Sequence, residues 1–321
     1  NQNEFFGSDK ISFVKTHNSL SEFNGNKFTT SNQTLAGIYI VRDPRNLITS
    51  LTHHYSLTYE NAYKKLMDKN GTLLEKSTEI VMELNKMKVE IWSDIMCPFC
   101  YIGKRNFENA LEEFSQRDQI QVIWKSFALA PDLQTDTSID SNLFLQKHKG
   151  MSEAQATEAI KGVTQMAKAS GLDYDYDNVV VANTKNGHQL IHLAAQKGLQ
   201  NEMKERLLKA YFIEGHNVDD TQTLINLGKE VGLDETAVKK TLEEQEFSAY
   251  IEQDIAEARN IGVTGVPFFV FDRKYAVSGA QPEAAFLDIL NKAFSEWFAK
   301  QELPHLEVLE GQSCDTDGNC D

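Results

Sequence analysis

The sequence predicts an α/β fold for residues 87–321, preceded over residues 1–86 by a shorter, incomplete α/β segment. Three observations carry this reading. Residues 88–94 make a strand that runs straight into Cys97-Pro98-Phe99-Cys100, after which Ile102, Phe107, Leu111 and Phe114 recur at helical spacing over 102–115. Near the other end, Gly262-Val263-Thr264-Gly265-Val266-Pro267 leads into a strand, Phe268 to Phe271, then a turn, a strand Tyr275 to Val277 and a helix over about 282–299. Between them, Leu190, His192, Leu193, Leu207, Leu208 and Leu227 recur in helix-like patterns, with few strand signals.

The 321 residues are near twice the roughly 150 expected of one domain. The net charge of −15 is unevenly spread. Residues 1–86 hold 10 Lys+Arg against 9 Asp+Glu, whereas residues 87–321 hold 22 against 38 and all four cysteines. An acidic surface of that kind repels nucleic acid and anionic membranes, so neither is expected as a partner. No apolar run approaches the roughly 18 residues of a membrane helix. The charge shift coincides with a change of pattern: residues 73–86 are loosely helical, and Val89, Ile91 and Trp92 then open a new strand. No Gly/Pro/Ser-rich linker intervenes. Either the two parts pack closely, or Met87 is an original start codon and residues 1–86 were joined upstream. The chain begins at Asn1, so a signal peptide is neither seen nor excluded.

In the first segment, Ser12 to Lys15 reads as a short strand running into Lys15-Thr16-His17. Residues 37–42 form a second strand ending in Arg42-Asp43-Pro44-Arg45, followed by a helical stretch that carries Ser50. A strand-end guanidinium with a hydroxyl eight residues on can hold a phosphate. A surface salt bridge capping a helix is the plainer reading of that tetrapeptide. Together these residues resemble the middle of a sulfotransferase that uses 3′-phosphoadenosine-5′-phosphosulfate, over roughly residues 8–75. The resemblance implies a catalytic lysine at Lys15, a histidine base at His17, and cofactor 3′-phosphate contacts at Arg42 and Ser50. The family's N-terminal phosphosulfate loop and C-terminal Gly-rich segment are absent from this sequence. The expectation is an inactive, vestigial fragment.

Cys-x-x-Cys at a strand-to-helix junction is the arrangement dithiol redox chemistry needs. The first sulfur sits at a helix N-terminus, where orphan N–H groups and the helix dipole favour the thiolate. A cysteine of pKa about 8.5 is only about 3% thiolate at pH 7, and one lowered to about 7 is half ionised. Cys97 is therefore expected to be the attacking sulfur and Cys100 the resolving one. Half of a zinc site is an alternative, but it needs two further ligands, and the other cysteines are more than 200 residues away. Two buried inert cysteines are the other alternative. Pro267 sits at a strand start, where its missing N–H is tolerated, and a cis Val266–Pro267 bond is compatible with the small trans preference of X–Pro.

The segments WSDIMCPFCYIGK (92–104), NTKNGHQLIHLAAQKG (183–198), AYFIEG (210–215) and GVTGVPFFVFDRKYAVSGAQP (262–282) together resemble the DsbA-like thioredoxin superfamily, most closely its FrnE branch of dithiol–disulfide oxidoreductases and isomerases. The resemblance implies a thioredoxin-like fold with a helical insertion over about 135–245. It implies no cofactor beyond the redox-active disulfide, no metal, and protein or peptide thiols as partners, with glutathione or a thioredoxin-type reductant as co-substrate. It also implies that the backbone of Val266, before the cis-proline Pro267, pairs with an extended peptide. His188 and His192, four apart, fit a cleft-lining or capping role better than a metal pair, and Thr184 is the expected N-cap of their helix. Strongly oxidising DsbA proteins carry a histidine beside the second cysteine. Phe99 stands there instead, so a milder oxidant is expected, with a reduction potential below about −130 mV.

The tail, EGQSCDTDGNCD, carries Cys314 and Cys320, a candidate second redox pair. Some FrnE relatives have such a pair at a spacing of four rather than five residues. Glutathione-dependent 2-hydroxychromene-2-carboxylate isomerases and kappa-class transferases share the fold, but place Ser where Cys97 stands; they are the alternative enzyme reading, with sulfate transfer by the first segment a further one. The FrnE branch lacks signal peptides as a rule, so the expected compartment is the cytoplasm.

Overall fold

The computed structural model describes residues 86–300 and, before them, only a two-residue antiparallel ladder of Glu22–Phe23 with Asn26–Lys27. Lys15, His17, Arg42, Ser50, Cys314 and Cys320 lie outside the described residues. The chain divides into two compact units, residues 1–86 with 191–200, and residues 87–190 with 201–321. The second unit holds the Cys-x-x-Cys pair.

Its elements are β1 (Met87–Ser93), α1 (Pro98–Glu113), β2 (Ile120–Ser126), six helices α2 (Ser141–Lys149), α3 (Glu153–Ala169), α4 (Lys185–Ala195), α5 (Gln200–Phe212), α6 (Thr221–Val231) and α7 (Glu235–Glu244), then α8 (Ser248–Asn260), β3 (Phe268–Phe271), β4 (Tyr275–Ser278) and α9 (Glu283–Ala299). The sheet order is β2-β1-β3-β4, with β1 parallel to β2 and antiparallel to β3. A parallel pair needs a crossover, and α1 supplies it. The sequence reading contains no strand at β2. Its buried residues Ile120, Trp124 and Ser126 lie at even spacing on one face.

Period-2 alternation sends the residues of β1 and β3 to two different cores. Val89 pairs with Phe271 and Ile91 with Phe269, and this face meets α1 and α9 through Phe107 and Phe286. Phe107, Phe269 and Phe286 are fully buried, each contributing roughly 2–3 kcal/mol. The opposite face carries Trp92 and Val270, packed with Ala258 and Val263 around α8. Both faces being covered explains why β1 reads as a nearly continuous apolar run.

The helices between β2 and α8 are marked by their caps. Asp140, Ser152, Asp220 and Asp234 each accept an N–H of the first turn, and Ser152 with Gln155 completes a capping box. Each cap contributes about 1 kcal/mol. Thr184 takes the expected N-cap position of α4, its carbonyl accepting the His188 N–H at 3.0 Å, but its hydroxyl is directed to Asp94 and Asn183 Oδ1 accepts the Lys185 N–H at 2.8 Å.

Candidate active site

The strand-to-helix junction builds the site. Helix α1 begins at Pro98, four residues earlier than the apolar periodicity indicates, because Pro at the first helical position is pre-organised and lacks an N–H that would be orphaned anyway. Cys97 is the N-cap in extended conformation, and Cys100 N–H donates to Cys97 O at 3.0 Å. The pair is thus one turn apart with unequal access. Both are buried, Cys97 at 4% exposure and Cys100 at 0%, so Cys97 is the nearer of the two to the surface.

The second wall comes from the far end of the chain. The Val266–Pro267 peptide is cis, and the Cys97 thiol donates to Val266 O at 3.4 Å. Gly279 N–H donates to Pro267 O at 2.8 Å, which fixes this loop to the end of β4. Gly103 explains how closely the loop can sit on α1. A Cβ there would lie 2.9 Å from Pro267 Cγ, so a glycine that costs about 1 kcal/mol in a helix makes room for the proline. Gly187 does the same on α4, where a Cβ would meet Ile95 Cδ1 at 2.5 Å.

A third wall is aromatic. Tyr174 is stacked on Phe212, with ring centroids 4.6 Å apart, and its hydroxyl donates to Pro98 O at 2.7 Å, tying the residues before α4 to the start of α1. Burial pushes the Tyr174 and Tyr176 phenols up, and the nearby Cys97 adds to this. Phe99 stands at the rim, largely open to solvent.

Beneath the sulfurs lies a polar layer that the sequence reading did not single out. Asp94, fully buried three residues before Cys97, accepts from Leu129 N–H at 2.7 Å and from the Thr184 hydroxyl at 2.7 Å, with His188 Nε2 at 3.4 Å. Burial alone would raise its carboxyl, but His188, Leu129 N–H and Thr184 outweigh it and hold the group below the usual range. His188 is therefore a partner of Asp94. Lys204, on α5, is buried as well, and its ammonium donates to Ser93 O at 3.3 Å. Burial lowers Lys204 to about 8.

The two thiols form one interacting pair. Interaction with Cys100 and then burial push the Cys97 thiol well above its usual value in this reduced arrangement, in which it donates to Val266 O. Burial also penalises ionised Cys100, but Cys97 and the Lys204 ammonium outweigh it and bring that thiol down.

The arrangement suits thiol–disulfide exchange, and comparison with known proteins agrees. The uncharacterized protein YwbO of Bacillus subtilis is 27% identical over 212 residues, 65% of this chain and 96% of that protein. The crystal structure of a probable DsbA oxidoreductase from Streptomyces coelicolor is 35% identical, covers 73% of this chain and 98% of its own, and superposes with a TM-score of 0.62. The family model of the DSBA-like thioredoxin domain matches residues 88–291, so the chain belongs to that family and is a thiol-disulfide oxidoreductase.

Proposed function

We propose that the chain exchanges disulfides with protein or peptide thiols through Cys97 and Cys100, using no cofactor beyond that dithiol. The observation that carries this is the unequal pair itself: a Cys97 nearer the surface, at the helix N-cap beside the Val266 carbonyl, and a fully buried Cys100 one turn behind it. In the reduced chain, Cys97 passes its proton to the Cys100 thiolate as it turns from Val266 O towards a substrate disulfide. The Cys97 thiolate then attacks, one substrate sulfur leaves as thiolate, and a mixed disulfide remains. Cys100 gives that proton to the departed substrate thiolate and attacks Cys97, so the Cys97–Cys100 bond forms and the second substrate sulfur leaves with the electron pair of the broken bond. Oxidised chain runs the same steps backwards. Val266 presents its main chain to an extended substrate, which reads backbone rather than side chains and gives broad specificity.

Glutathione or a thioredoxin-type reductant resets the pair, the cytoplasm is the working compartment, and the segment 1–86 is a vestige with no part in the exchange. Cys314 and Cys320 serve as a second pair that relays electrons to the first. The test is Cys97→Ser. Insulin reduction and oxidation of a dithiol peptide should both disappear, because the remaining sulfur of the pair is fully buried. Full glutathione-dependent activity in Cys97→Ser, with no insulin reduction by the parent chain, overturns the reading.

A further inference from the structure

The chain that leaves β2 forms no helix or strand until α2, yet it is pinned repeatedly between residues 126 and 135. Ser126 N–H donates to Asp254 at 2.9 Å, and Leu129 N–H donates to Asp94 at 2.7 Å. Asn183, at the entry to α4, donates its side-chain amide to Pro131 O and Leu133 O at 3.2 and 2.9 Å, and its backbone N–H to the Thr135 hydroxyl at 2.9 Å. Thr135 in turn donates to Asp219 at 2.6 Å. Connections without regular structure are ordinarily the mobile parts of a fold, and this one is tied down in advance.

What these bonds hold out is apolar. The Leu129 side chain is 40% exposed, although its own N–H sits on a carboxylate that is fully buried. Its place is beside the site. Asp94 stands three residues before Cys97, and Phe127 packs together with Val266 on the cluster of Trp92, Ala258, Val263 and Val270. The segment thus borders both the strand end that delivers Cys97 and the main chain that faces substrate. A lone exposed leucine needs no explanation. One whose backbone is fixed beside a substrate strand is pre-organised for contact, because its ordering cost is met before binding.

Resting on the reading that Cys97 meets substrate beside Val266, we propose that Leu129 is a specificity-determining residue: it grades substrates by the side chain two positions from their cysteine and favours an apolar one. The position follows from strand geometry. A peptide paired with the Val266 main chain is extended, so residues two apart point to the same face. A cysteine directed at Cys97 therefore turns the side chains two before and two after it towards the protein. Leu129 lies to one side, so one of these two positions carries the preference. Backbone pairing admits any sequence, and Leu129 ranks what is admitted.

The test uses the full chain, reduced, and short peptides whose single cysteine is joined in a mixed disulfide to nitrothiobenzoate. Attack by Cys97 on the peptide sulfur releases the coloured nitrothiolate, the better leaving group. The peptides carry Leu, Ser or Glu two before or two after the cysteine, and initial rates at low peptide give relative kcat/KM. Ratios taken within one variant cancel any change in the thiols themselves. Contact at an open rim is weaker than in the enclosed pockets where one methylene gives roughly 10–200-fold, so the parent should prefer Leu to Ser by about five- to tenfold at one position. Leu129→Ser should bring that ratio within about twofold, and Leu129→Met should keep it. Leu129→Lys should favour Glu over Leu at the same position, which a loosened loop would not do. Each variant keeps the N–H that Asp94 accepts. Circular dichroism checks folding, and Leu129→Lys carries the test if Leu129→Ser does not fold. A parent without a preference at either position overturns the proposal, as does a Leu129→Ser chain that keeps the parent's ratio or a Leu129→Lys chain that still favours Leu. Release by the parent no faster than by Cys97→Ser would instead overturn the exchange reading beneath it.

Discussion

Two lysines, Lys104 on α1 and Lys204 on α5, are each 1% exposed and each has its Nζ within about 6 Å of the Trp124 ring centroid (6.0 and 5.7 Å). They differ in counter-charge. Lys104 donates to Glu108 at 2.7 Å and to Glu205 at 2.6 Å, and Glu205 is further held by Arg105 and the Tyr101 hydroxyl. Among the described residues Lys204 donates only to Ser93 O, at 3.3 Å. The same residue type at the same burial is thus a structural clamp in one place and, in the other, a charge held against its own desolvation.

Replacing each lysine by methionine is expected to change stability in opposite directions. Lys204 is brought from 10.5 to about 8 by burial, which corresponds to roughly 3 kcal/mol against the folded state. The sign follows from the lowered value. The penalty is fully present below pH 8, where folded Lys204 must hold a proton against its burial. It fades as pH rises towards 10.5, where the unfolded chain also loses the proton. Lys204→Met should therefore unfold at higher denaturant than the parent at pH 7, by up to about 3 kcal/mol, with the gap closing above pH 8. Equal stability at pH 7 would break the contrast.

Lys104→Met should lose about 1–3 kcal/mol in the same unfolding experiment, because it leaves Glu108 without its lysine and Glu205 with only Arg105 and Tyr101. The lower part of that range reflects the partial exposure of both carboxylates. Its rate of disulfide exchange with a peptide should match the parent, which separates the clamp from the chemistry. The smallest effect is expected from Gly103→Ala. The new Cβ presses on Pro267, a cost of about 1–3 kcal/mol that the better helix propensity offsets by about 1. The net loss of about 1 kcal/mol should come with slower exchange on peptides, since the loop carrying Val266 must shift. A variant as active and as stable as the parent would show that the approach of the loop is not limiting.

Much of the fold was legible before any coordinates. Helix α9 and strand β3 lie where the sequence pattern places them, and α1 is displaced mainly at its start, because a Cys-Pro junction reads as loop until the N-cap is recognised. Strand β2 was passed over: Ile120, Val122 and Trp124 share a face, but Ile123 on the other face is apolar too, which blurs the period. At the site, the cysteine spacing and the proline announced themselves. Asp94 and Lys204 did not, since both act through burial, which a sequence carries only as a charge in an apolar position. The partner of the Cys97 thiol was hidden because it is distant in sequence: Val266 O is 169 residues away.

The central claim is that Cys97 is the sulfur that meets substrate and Cys100 the one that releases it. Cys100→Ala, exposed to a disulfide-bonded peptide and quenched with acid, tests this most directly by mass spectrometry. The account predicts that the chain accumulates a stable mixed disulfide through Cys97, and that adding Cys97→Ala abolishes it. No adduct at Cys97, with disulfide exchange persisting in the Cys100→Ala chain at the parent's rate, would contradict it.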